Sequence, residues 1–318
     1  MSYLLTTGIL QQAANPAVTL LLDDAAFSSH QIVLSVRRLK TAYTGNCMEV
    51  RRSSDNATQN IGFLNNYLDT VSLLSFVGAG SGFVRTWYDQ SGNGRDYIQN
   101  TNANQPRIVN AGSLETQNGK AAVRFDGSTS RLASAADYTL TRDQSAYIVN
   151  APANNITAAT APQYLITGGV VTLGSEDYTI MGYGSATVNL TNERLFYLYL
   201  SQRYTAPAGA QTYGYGQTSA DIPAGNYLHS FSFRDLSGIV QVGISQNGIS
   251  QSLSTSSYSG FRVTGVTKWP RIYRALGYSF AQNSAHFNGK IQEYILFNSY
   301  INNNSTINTS VNGFYSIW

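Results

Sequence analysis

The run Ile239-Val240-Gln241-Val242-Gly243-Ile244-Ser245 leads almost directly into Asn247-Gly248. Asn-Gly supplies the two positive φ angles of a type I′ turn, so this stretch reads as a β-hairpin. Upstream, His229-Ser230-Phe231-Ser232-Phe233 alternates polar and aromatic residues, and Asp235 to Gly238 turns it back to make a three-strand meander. Further strand signals are Phe83-Val84-Arg85-Thr86-Trp87-Tyr88, Ala121 to Phe125 ending at Asp126-Gly127, Ser145 to Val149, Leu195 to Leu200 and Ile291 to Phe297. Many short strands punctuated by Gly and Asn describe an all-β sandwich.

Two helices interrupt the pattern. Asp69 or Thr70 can cap a short helix near 70–77, which Gly78 stops. Asn303, Asn304 or Ser305 can cap a C-terminal helix whose Ile307, Val311, Phe314 and Tyr315 share one face. With 318 residues and no internal repeat, the chain divides into an N-terminal arm, 1–30, and one sandwich, 31–318. Charged residues are only 12%, against about 25% in an ordinary soluble domain. Such a surface suits repeated assembly, so a homo-oligomer anchored on other proteins through residues 1–30 is expected.

Arg37, Arg38 and Lys40, and Arg51 with Arg52, read as solvated basic spots. They make no stripe that would bind nucleic acid. The first ten residues do not read as a signal peptide, and no apolar run reaches the ~18 residues of a membrane span. The lone Cys47 excludes an internal disulfide and reads as a buried thiol. No zinc-ligand spacing is present. The stretch 201–226 is rich in Tyr and Gly and reads as a contact loop. Tyr213 and Tyr215 there, with Tyr183, Tyr258 and Trp269, are the candidate sugar-stacking residues.

Several strings occur in one order: Ser35-Val36-Arg37-Arg38-Leu39, Val50-Arg51-Arg52, Trp87-Tyr88-Asp89-Gln90-Ser91-Gly92-Asn93-Gly94, and Gln105-Pro106-Arg107. Together they resemble the catalytic domain of α-L-arabinofuranosidase B and its phage and bacterial relatives. Phe287 to Glu293, followed by a terminal helix, is similar to the closing strand of concanavalin-like and laminin-G-like domains, and Val311 to Ile317 is similar to the endings of many phage-encoded members. The resemblance implies a concanavalin-like, jelly-roll sandwich. Trp87, Tyr88, Asp89, Gln90, Ser91, Gly92 and Gly94 read as a structural turn, as do Asn247 and Gly248. A sugar or calcium contact at Asp89 is the alternative, and no other cofactor is expected.

Retaining glycosidases need two carboxyl groups flanking the bond. The resemblance implies a nucleophile at Asn189-Leu190-Thr191-Asn192, where Thr191 replaces the Glu. It implies an acid/base after Ala275-Leu276-Gly277-Tyr278, where Ser279 to Gln282 carries no carboxylate. Glu176, Asp177 and Glu193 are the nearby carboxylates, and Glu193 with Asp177 is the one pair that could meet. The resulting expectation is a non-enzymatic phage virion protein, made in the host cytoplasm, that displays a lectin-like sandwich to host glycan. A carbohydrate-binding module is the second reading, and an arabinofuranosidase-like hydrolase the third.

Overall fold

Alternation of apolar and polar residues, cut by Gly, Asn and Asp turns, makes strands. The structure is a computed structural model and describes residues 19–134, 143–157, 160–161, 163–172, 175–183, 196–201, 221–236, 239–251, 273–278 and 285–318. The strands that position the site are β1 (His30–Ser35), β2 (Met48–Arg52), β3 (Thr58–Ile61), β4 (Gly82–Trp87), β5 (Tyr97–Ile98), β6 (Arg107–Asn110), β7 (Val123–Asp126) and β8 (Leu132–Ser134). They continue as β9 (Gln144–Pro152), β10 (Gln163–Thr172), β11 (Ser175–Tyr183), β12 (Phe196–Ser201), β13 (Tyr227–Leu236), β14 (Ile239–Gln246), β15 (Tyr273–Leu276) and β16 (Asn288–Phe297). Two helices, α1 (Thr70–Val77) and α2 (Ser305–Tyr315), match the two expected.

The fold is an all-β sandwich. One layer runs β12-β11-β10-β15-β8-β5-β4-β2-β3, every pair antiparallel. The other runs β14-β13-β9-β16, with β1 and β7 sharing the far edge of β16. Strand β6 pairs with both β7 and β4 and joins the layers along one side. Rings cross the interior, as where Tyr97 of β5 meets Tyr294 of β16 edge to face with 6.4 Å between centroids. The meander is present as β13, β14 and the short strand Ile249–Ser250, with Asn247 at φ 53° and Gly248 at φ 75°.

Strand β9 is buried along its whole length, and β16 nearly so. A strand covered on both faces reads as a continuous apolar run. Helix α2 supplies part of the outer cover through Ile307, Val311 and Tyr315. Its N-cap is Asn304, whose Oδ1 accepts from Thr306 N and Ile307 N.

Residues 1–18 of the expected arm lie outside the described residues. From Leu21 onward the segment is part of the body, because Leu22 and Phe27 are core residues and Phe27 packs on Phe297. The solvated reading of the basic spots is corrected at two positions. Arg37 and Arg51 are buried, Arg37 in an ion pair with Glu293 and Arg51 in bonds to Gln105, Asn56 and Asn102 O. Cys47 is buried as expected and donates to Ser35 O.

Candidate functional site

The Trp87–Gly94 string builds a turn. Asp89 accepts from the backbone N–H groups of Val33, Ser91 and Arg95 and from the Ser91 hydroxyl. Gln90 accepts from Leu39 N and donates to Ser35 O and Arg37 O. Gly92 and Gly94 take φ of 86° and 67°. Trp87 is buried while Tyr88 is half-buried and donates to Asn60, so the two alternate across the strand. Each Asp89 oxygen accepts two hydrogen bonds, which is the structural-turn role expected of it. Among the described residues no cluster of three His, Cys, Asp or Glu stands ready for a metal.

Chemistry-bearing segments converge elsewhere, at the end of the sandwich marked by Gln163. Antiparallel register sets Gln163 opposite Tyr183, Tyr183 opposite Phe196, and Ile166 opposite Leu276. Strand β11 therefore ends and β12 begins opposite Gln163, and β15 ends three residues further along, on the other side of β10. The other layer arrives there too: Asn288 N donates to Gln163 Oε1, Tyr164 N to Ala285 O, and Phe287 N to Gly277 O. Two glycines allow this close approach. A Cβ on Gly182 would collide with Gln163 O, and one on Gly277, at φ 84°, with the Phe125 ring.

Around this end stand Tyr278, His286 and Arg131. The Tyr278 and His286 rings stack 5.9 Å apart with planes 14° off parallel, and the Arg131 guanidinium lies 5.3 Å from the Tyr278 ring centre. Burial holds the His286 imidazole below its ordinary pKa, against the opposing effect of its bond to the Ser130 backbone, so at neutral pH it is an uncharged hydrogen-bonding ring. Asp126 also stands here. Burial would raise its pKa, but donors from Ser130, Ser128 and Thr129 outweigh that and hold it well below the usual carboxylate range. It is locked in its turn as an anion. Asp221 is exposed beside Ile222, whose backbone pairs with Ile156 just past the end of β9.

Beneath this end lies a polar group that linear reading did not find. Tyr183 donates to Asn150 Oδ1 and lies 3.3 Å from His229 Nδ1, and Asn150 Nδ2 donates to His229 Nδ1 at 3.0 Å. All three are fully buried. Burial pushes the His229 pKa down to about 3. Separations of 33 to 79 residues along the chain carry no spacing signal that would have linked them.

Tyr183, expected on a sugar-facing surface, is thus corrected to a core ring stacked on Phe287. Tyr213, Tyr215, Tyr258, Trp269, Thr191, Glu193 and the stretch 279–282 lie outside the described residues. Asp177 pairs with Val170, six residues along β11 from Tyr183, or ~20 Å at about 3.3 Å per residue. It sits toward the Thr172–Ser175 end of the β10–β11 pair rather than the Gln163 end.

The family described as "Alpha-L-arabinofuranosidase B, catalytic" matches residues 25–194, more than half of the chain. Among solved structures, a mutant GH54 α-L-arabinofuranosidase soaked with 4-nitrophenyl α-L-arabinofuranoside superposes with a TM-score of 0.62 at 17% identity, covering 91% of this chain and 64% of that one. An arabinofuranosidase complexed with arabinofuranosyl-α-1,2-xylobiose gives 0.61 at 18%, covering 90% and 62%. A GH54 enzyme soaked with a cyclic sulfate inhibitor gives 0.60 at 18%, covering 91% and 64%. The chain spans under two thirds of the length of these proteins. No curated protein matches in sequence. The expectation of a non-enzymatic protein is overturned by the match to a catalytic-domain family, which the shared fold accompanies. The two stretches in which that expectation found no carboxylate where the resemblance places one, 189–192 and 279–282, lie outside the described residues.

Proposed function

The chain belongs to the α-L-arabinofuranosidase B catalytic family, and from that premise we propose that it hydrolyses α-L-arabinofuranosyl linkages at the Gln163 end of its sandwich. One observation carries this reading. The strands that lead into 184–195 and 279–284, the segments where the family's two catalytic stations are sought, flank β10 on either side and end near its start, opposite Gln163 and Ile166.

Retaining hydrolysis needs one carboxylate to attack the anomeric carbon and a second, ~5–5.5 Å away, to protonate the leaving oxygen and then activate water. The proposal gives attack to Glu193 and acid/base work to Asp221. Asp126 is unsuited to protonate a leaving group because its turn holds it ionised. Neutral His286 and the Arg131–Tyr278 pair would border the sugar, with Tyr213 and Tyr215 as further stacking rings.

The test is turnover of 4-nitrophenyl α-L-arabinofuranoside and of arabinoxylan by the purified chain. Nitrophenolate release is expected, with Glu193→Gln and Asp221→Asn each lowering kcat by about 10²–10⁴-fold. No release from either substrate by the unsubstituted protein would sink the reading.

The finer proposal is that this domain travels in a phage particle, with the residues ahead of Leu21 as the contact to other virion proteins and host glycan as its target. Low charge and the Val311–Ile317 ending support it. Peptide mass spectrometry of purified particles should find the chain in fixed proportion to the shell protein; its absence would remove the proposal.

A further inference from the structure

We propose that Tyr183, Asn150 and His229 form a tie between the two layers that positions the end of β11 for the chemistry proposed above. The inference rests on that functional reading and adds positioning residues to it.

Tyr183 is the last residue of β11, and Phe196, the first of β12, is its register partner. Both strands that flank 184–195 are therefore set by one residue. A strand end is free to fray unless something holds it. Here the hold comes from the opposite layer, since Asn150 lies on β9 and His229 on β13.

The direction of each bond follows from the groups. Asn150 Oδ1 can only accept, so the Tyr183 hydroxyl donates to it. The Asn150 amide then donates to His229 Nδ1, which must be unprotonated, leaving the ring proton on Nε2. An imidazolium would present N–H against N–H at that contact. The rings are confined as well. Tyr183 meets His229 edge to face at 5.5 Å, Tyr227 lies 5.4 Å from His229, and Phe287 stacks on Tyr183 at 6.2 Å. Leu or Phe at these positions would fill the volume equally well. A chain of hydrogen bonds also fixes distance and direction, which a catalytic constellation needs and a core does not. Gly182, the residue before Tyr183, lets the backbone of β11 approach Gln163 closely, where a Cβ would collide with Gln163 O.

The experiment compares the full chain with Tyr183→Phe, His229→Leu and His229→Gln on 4-nitrophenyl α-L-arabinofuranoside. Gln keeps an uncharged acceptor for the Asn150 amide; Leu does not. The tie predicts that Tyr183→Phe and His229→Leu lower kcat at least tenfold with KM within twofold, and that His229→Gln recovers kcat to within threefold. Unchanged kcat in the first two, or no recovery by Gln, overturns it. Amide hydrogen exchange gives a readout independent of turnover. Tyr183→Phe should speed exchange at 178–183 at least tenfold while His30–Ser35 stays unchanged. If the unsubstituted chain shows no turnover, the hydrolase reading fails and exchange alone judges the tie: unaltered exchange at 178–183 overturns it.

Discussion

His229 is the residue whose burial has the plainest consequence in solution. Its folded pKa is pushed down to about 3, while an unfolded histidine titrates near 6.5. Between those values the unfolded chain binds the proton that the folded chain refuses. Stability from this group is therefore complete above pH 6.5 and is lost as the pH falls toward 3. At pH 4 the loss should be on the order of 3 kcal/mol. Urea unfolding midpoints at pH 7 and pH 4, measured on the natural chain and on His229→Gln, check this. The pH-dependent loss should shrink by most of that amount in the variant, and equal slopes would refute the assignment. The sequence shows three histidines but not which one is dry, because dryness depends on Tyr183, Tyr227 and Asn150, all remote in the chain.

At the scale of elements, helix α2 is held to β16 by charge as well as by apolar packing. Glu293 receives Arg37 through two bonds of 2.8 and 3.0 Å, and also the Ser35 and Tyr315 hydroxyls. Arg37 reaches on to Ser310 of the helix. Burial lowers the Arg37 pKa, and Glu293 more than reverses that, so the guanidinium stays charged in the interior. Replacing one partner strands the other. Glu293→Gln should cost about 3–5 kcal/mol, read from the urea midpoint. A loss under ~1 kcal/mol would mean that the pair does not clasp the helix. Both helices were legible before the structure: Asp69 and Asn304 cap them, and Ile307, Val311 and Tyr315 form the buried stripe of α2. The clasp was not legible, since Arg37 reads as a solvated charge until α2 is placed over it.

At the scale of the molecule, pairing is dominated by strands far apart in sequence. Strand β1 pairs with β16, and β7 and β9 pair with β16 as well. The sandwich exists only when the ends of the chain meet. That closure also brings the ends of β11, β12 and β15 against Asn288 and Phe287, and so makes the site.

Local order was readable because it depends on neighbours in the chain: the Asn247-Gly248 turn, the Asp89-to-Gly94 loop, the two caps and the short alternating strands. The family was readable for the same reason, through ordered strings between Ser35 and Gly127. Which groups are buried, which carboxylates share an end, and which tyrosine faces the core were decided by packing. Tyr183 carries the same side chain as any surface tyrosine. Only the second layer, laid over it by long-range pairing, gives its hydroxyl a buried partner and removes its ring from water.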